Sequence, residues 1–101
     1  MKYGLSEKVI REINFVFSSY PQIKQVILYG SRAKGNYRDG SDIDLSLFGD
    51  DITLSLLHNI ELSLDDLLLP YSFDLSIYNE IHNSELKEHI DRAGVVFWSK
   101  K

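Results

Sequence analysis

Residues 29–45 read YGSRAKGNYRDGSDIDL, and the fold depends on how this stretch divides. It begins at the end of Gln25-Val26-Ile27-Leu28-Tyr29, an apolar run rich in β-branched residues that reads as a buried strand. Gly30 ends that run. Ser31 to Lys34 then opens a short helix, which Gly35 and Asn36 stop. Tyr37-Arg38-Asp39-Gly40-Ser41 has the composition of a turn. From Asp42 to Phe48 the pattern alternates: Asp42, Asp44 and Ser46 fall on one face, and Ile43, Leu45 and Leu47 on the other. A period of two is the signature of a second strand.

Upstream, Leu5, Val9, Ile13, Val16 and Phe17 recur at helical spacing after Ser6, a suitable N-cap. The helix ends at Ser18-Ser19-Tyr20-Pro21, because proline disfavours helix in the residue before it. Downstream, Gly49-Asp50-Asp51 reads as a break and helix cap. Leu54, Leu57, Ile60, Leu64, Leu67 and Leu68 follow as an apolar helical stripe running to Pro70. Ser72 to Tyr78 alternates again, with Phe73, Leu75 and Ile77 opposed to Asp74 and Ser76, giving a third strand. Leu86 to Ala93 is a helix ended by Gly94, and Val95 to Trp98 is a last strand. The order predicts an α/β (α+β) domain, a small mixed sheet of about four strands packed by helices. The long helical connection allows strands two and three to be parallel neighbours, but strand order stays open.

The 101 residues are expected to form a single domain, residues 1–101, without room for a second, substrate-binding one. No apolar stretch is long enough to span a bilayer and no signal-peptide pattern opens the chain, so no membrane association is expected. The absence of cysteine excludes disulfides and thiolate metal sites, and is compatible with a cytoplasmic location. A net charge of −4 argues against direct nucleic-acid binding, which needs a basic excess. Arg32, Lys34 and Arg38 nevertheless cluster just before the aspartate pair.

On a strand, residues i and i+2 point the same way. Asp42 and Asp44 therefore share a face, with backbones about 6–7 Å apart. Two carboxylates on one partly buried face repel, and a divalent cation relieves that repulsion. An all-oxygen donor set favours Mg²⁺ or Mn²⁺ over zinc, and Mg²⁺ completes its shell with water and phosphate oxygens. Gly30-Ser31 offers a place for the phosphates, since glycine lets them approach the backbone and a helix start presents N–H groups. Ser31 adds a hydroxyl, and Arg32 and Lys34 add positive charge. Asp74, on the polar face of the third strand, is the candidate third carboxylate, able to ligate a metal or accept a proton. Each feature alone has an ordinary reading as a solvated strand residue or a tight turn. The functional reading rests on their combination and order.

The combination of Gly30-Ser31, Ser41-Asp42-Ile43-Asp44-Leu45 and Phe73-Asp74-Leu75 resembles the DNA polymerase beta-type nucleotidyltransferase superfamily. The string GSRAKG followed by SDIDL is similar to the minimal nucleotidyltransferases (MNT) in particular. Lys34 stands where many relatives carry arginine, which keeps the charge but loses the bidentate fork. The resemblance implies that Asp42 and Asp44 hold Mg²⁺, two ions in all, with Asp74 as third catalytic carboxylate and metal ligand. Gly30 and Ser31 would contact the β- and γ-phosphates of ATP, with Arg32 and Lys34 as helpers. The implied reaction is attack of an acceptor hydroxyl on the α-phosphorus, with release of pyrophosphate.

A chain without an acceptor-binding domain needs an acceptor with its own surface. The family's minimal members commonly act as antitoxins that transfer AMP to a tyrosine of a HEPN-domain ribonuclease toxin. The implied partner is such a toxin, in a hetero-oligomer. Two alternatives are a non-catalytic antitoxin acting by binding, which the intact acids oppose, and a small-molecule nucleotidyltransferase working with a separate acceptor-binding subunit.

Overall fold

A computed structural model describes all residues, 1–101. Helix α1 (Glu7–Ser18) leads into strand β1 (Ile23–Tyr29), the one-turn helix α2 (Ser31–Lys34) and strand β2 (Ile43–Gly49). Helix α3 (Leu54–Asp65), strand β3 (Phe73–Ile77), a 3₁₀ turn (Tyr78–Glu80), helix α4 (Ser84–Ala93) and strand β4 (Val95–Ser99) complete the chain. The sheet has four strands in the order β3-β2-β1-β4. β1 is antiparallel to β2 and β4, while β2 and β3 are parallel. This is the mixed sheet expected from the pattern, and the long α3 crossover is what makes β3 a parallel neighbour of β2.

The two faces of the sheet differ. Val26, Leu28, Ile43, Leu45, Leu47 and Ile77 face α1 and α3, and join Ile13, Val16, Phe17, Ile60 and Leu64 in one buried cluster. The opposite face carries Ile27 and Tyr29, by the alternation of β1. Helix α4 lies there: Gly94 packs against Ile27, and the His89 ring meets Tyr29 edge-on at 6.2 Å. The first face is apolar and sealed. The second is half-covered, and it carries the polar residues of β2 and β3.

The helix ends are fixed by side chains. Ser6 Oγ accepts from Val9 N at 3.2 Å, as its position suggested. The cap of α3 is Thr53, whose Oγ1 accepts from Leu56 N at 3.1 Å. This corrects the expectation that Asp50 or Asp51 caps α3; Asp51 instead takes a left-handed turn conformation with φ 55°. Asn83 Oδ1 caps α4, accepting from Glu85 N and Leu86 N. The apolar stripe of residues 54–68 also needs correction at its ends. Leu54 is 76% exposed and Leu68 88% exposed. Leu54 is the first residue of α3. Leu68 lies beyond its end with φ 56°, so both fall outside the buried centre of the helix. No helix is long and apolar enough to cross a membrane.

Candidate active site

The antiparallel register pairs Tyr29 with Asp44, and the parallel register pairs Asp44 with Asp74. Paired residues on adjacent strands share a face, and adjacent strands lie about 4.8 Å apart. Tyr29, Asp44 and Asp74 therefore form one row across the sheet. The next row is Ile27, Ser46 and Ser76. Asp42 sits immediately before β2, exposed, where the strand leaves the Ser41 turn. Two acids 30 residues apart in sequence become neighbours through the parallel pairing.

Gly30 closes the row from above. It has φ 78° and ψ −156°, a conformation closed to residues with a side chain, and a Cβ at this position would run into the Asp44 carboxylate. The backbone of the Gly30-Ser31 turn thus lies directly against Asp44. Ser31, half-buried, starts α2, and the left-handed Gly35 with φ 88° ends it, as the sequence indicated. Lys34 is exposed on the last position of α2.

The electrostatics follow from this crowding. Partial burial, then the negative charges of Asp74 and Asp42, push the Asp44 carboxyl up to about 6, and the nearby Arg32 only partly opposes this. Burial raises the Tyr29 phenol above its ordinary range, and Asp74 and Asp44 add to the effect against a hydrogen bond with Ser76. Tyr29 is 7% exposed, so its ring is a wall of the site. Ser76 Oγ donates to Ser46 Oγ at 3.1 Å, which satisfies a fully buried Ser46 beneath the acids.

Arg32 occupies a different place from the one its charge suggested. It is 2% exposed, and its guanidinium is held by backbone carbonyls of Tyr3 and Ser41 and flanked by the rings of Tyr37 and Tyr71. It is a buried cross-link that leaves its charge near Asp44, where the sequence alone suggested only added positive charge beside the phosphates. Sequence reasoning also passed over Tyr29, Ser46 and Ser76. They look like ordinary strand residues until the register places them beside the acids.

No three acids or histidines converge tightly enough to enclose an ion by themselves. The donor set still fits a hard divalent cation of the Mg²⁺ type, which binds through one or two carboxylates and takes its remaining oxygens from water and phosphate. The observation that carries this fit is the pairing of Asp44 with Asp74 across parallel strands, with Asp42 two residues away; burial first, then those two carboxylates, disfavours the charged form of Asp44, and a cation would relieve it. Asp42 and Asp44 would hold it, with Asp74 on the adjacent strand.

Comparison with known proteins gives a family and a fold. The family described as "Polymerase beta, Nucleotidyltransferase" matches residues 11–101. Two Methanocaldococcus jannaschii proteins, both named as candidate protein adenylyltransferases, are similar. One is 48% identical over 46 residues, 44% of this chain and 46% of the relative. The other is 29% identical over 86 residues, 84% of this chain and 87% of the relative. The chain thus aligns with about half the length of the first and most of the second. Among solved structures, a toxin–antitoxin complex with AMP-PNP gives a TM-score of 0.73 at 20% identity, over 96% of this chain and 76% of that one. A tri-AMPylated Shewanella oneidensis HEPN toxin in complex with an MNT antitoxin gives 0.70 at 16% identity, over 95% and 74%. At these identities the likeness is one of fold.

Proposed function

The chain belongs to the polymerase beta nucleotidyltransferase family, and from that premise we propose that it is an Mg²⁺-dependent protein adenylyltransferase. Its acceptor in this reading is a tyrosine hydroxyl of a HEPN-type toxin with which it forms a hetero-oligomer. Residues 1–101 act as one nucleotidyltransferase domain. The observation that carries the reading is the row Asp44–Asp74 beneath the Gly30 backbone. It sets a carboxylate pair directly against a glycine turn that opens a helix.

In this reading the Gly30-Ser31 turn, whose backbone lies against the Asp44 carboxylate, receives the β- and γ-phosphates of ATP through the N–H groups that open α2 and the Ser31 hydroxyl. Lys34, exposed on α2, adds charge toward the same phosphates. Asp42 and Asp44 hold the cation, with Asp74 beside them. Bound there, Mg²⁺ supplies charge neutralisation on the triphosphate and on the leaving pyrophosphate. The acceptor oxygen attacks the α-phosphorus, the bond from that phosphorus to the pyrophosphate oxygen breaks, and AMP passes to the acceptor. Asp74, exposed at the sheet edge, is placed to take the hydroxyl proton from an acceptor arriving from outside. The wall formed by Tyr29 and His89 limits the opposite side of the row.

The toxin partner rests on the solved complexes of similar fold, one holding AMP-PNP and one an AMPylated toxin. It rests also on the adenylyltransferase names of the archaeal relatives. Incubation with α-³²P-labelled ATP, Mg²⁺ and the cognate partner, followed by denaturing electrophoresis, tests the proposal. Label is expected on the partner and is lost with Asp44→Asn. Tight partner binding without label would overturn transfer and leave an antitoxin that acts by binding.

A further inference from the structure

The geometry points to Arg32 as a positioning residue that locks the Gly30-Ser31 turn to the segments carrying Asp42 and Asp74, rather than a phosphate ligand. Its guanidinium makes three hydrogen bonds to backbone. Nε and Nη2 donate to Ser41 O at 3.1 and 2.9 Å, and Nη1 donates to Tyr3 O at 2.8 Å. Ser41 is the residue before Asp42. The Tyr71 ring lies 5.1 Å from the guanidinium carbon, and the next residue, Ser72, accepts from Ile43 N at 2.9 Å as the chain enters β3 and Asp74. Arg32 itself is the second residue of α2, whose first turn follows Gly30. One buried side chain thus touches all three segments that bear the candidate site.

The N-terminus completes the clamp. Tyr3 and Gly4 both have positive φ, 58° and 74°, and Lys2 and Leu5 exchange backbone hydrogen bonds of 3.1 and 2.8 Å. This tight two-residue turn aims the Tyr3 carbonyl at Arg32, and it is anchored by Leu5 in the core. On the far side, Ser41 Oγ accepts from Arg38 N at 2.8 Å, so the Ser41 carbonyl is presented from a closed turn. A planar fork that converges two donors on one carbonyl oxygen and sends a third to another fixes distance and orientation together. An ammonium cannot reproduce that geometry.

The inference rests on the proposed nucleotidyl transfer only for its kinetic arm, so the first measurement is made without nucleotide. Amide hydrogen exchange of the unliganded chain is compared with that of Arg32→Lys. Exchange in residues 36–44 and 70–74 is expected to rise about tenfold or more, with α1 and α3 unchanged. With ATP and the partner, Arg32→Lys is expected to lower kcat about tenfold or more while KM for ATP stays within about twofold, the mark of lost positioning. Unchanged exchange with a raised KM would overturn the inference and make Arg32 a phosphate arm. If Arg32→Lys does not fold, Tyr37→Ser carries the test. Tyr37 is exposed, and its ring lies 5.4 Å from the guanidinium carbon. Faster exchange in the same two segments supports the clamp, and unchanged exchange refutes it. Absence of transfer in the wild type would remove the proposed function and leave the exchange result standing.

Discussion

Asp44 is a half-buried carboxylate placed between Asp42 and Asp74, and its proton affinity records the conflict. A free aspartate releases its proton near 4. In the fold Asp44 holds it up to about 6. Between those values the folded state binds more protons than the unfolded one, so stability falls as pH rises through that window and stays lower above it. Asp44→Asn is therefore expected to raise the metal-free melting temperature at pH 7–8, and the gain should vanish near pH 4. Melting curves of both proteins across that range decide it; a gain independent of pH would mean that Asp44 bears no such cost. The same substitution should abolish AMP transfer, and Mg²⁺ with ATP should raise the melting temperature of the wild type more than that of the variant. Gly30→Ala places a methyl group against Asp44 at a positive φ. It should lose transfer and about 1–2 kcal/mol of stability, read by urea titration. Leu68 is the opposite case. It is 88% exposed at φ 56°, so Leu68→Gly relieves backbone strain without losing buried area and should add about 1 kcal/mol. Of these residues, the acids and Gly30-Ser31 were legible from their types and spacing. Arg32 was not, because a basic residue in a turn looks the same whether its guanidinium meets solvent or two carbonyls.

The elements themselves were largely legible. Period-two alternation marked β2 and β3, the β-branched run marked β1, and the stripe from Val9 to Phe17 marked α1. Caps were harder: Asp50-Asp51 read as the cap of α3, and the cap lies two residues further on. Local backbone geometry selected Thr53, in an extended conformation with its hydroxyl on Leu56 N. Thr53→Ala should cost about 1 kcal/mol in equilibrium unfolding and leave transfer intact, since α3 lies on the apolar face. Asn83→Ala removes an equivalent cap from α4, the helix whose His89 covers Tyr29. Its expected cost is similar, about 1 kcal/mol, but it should also speed amide exchange within Ser84–Ala93. A change spread over the whole chain would count against a local effect.

At the scale of the molecule, one apolar cluster supports both strands of the site. Phe17 is fully buried within it, 6.4 Å from Trp98. Phe17→Ala is expected to cost about 3–5 kcal/mol, a large part of the stability of a domain this size. Phe15, two residues away and 72% exposed, should tolerate Phe15→Ser within about 0.5 kcal/mol. Urea titration of the two variants separates the buried face of α1 from the outer one. The sequence by itself determined the fold class, the strands and the two acids of the Asp-x-Asp pair, because side-chain periodicity and turn chemistry are local properties that each segment carries alone. The tertiary structure decided the strand order, the meeting of Asp74 with Asp44, the place of Tyr29 beside them and the burial of Arg32. Each of these depends on contacts between separate segments: the β1–β2 and β2–β3 registers set the row of Tyr29, Asp44 and Asp74, and the Tyr3 and Ser41 carbonyls hold Arg32 in its buried place.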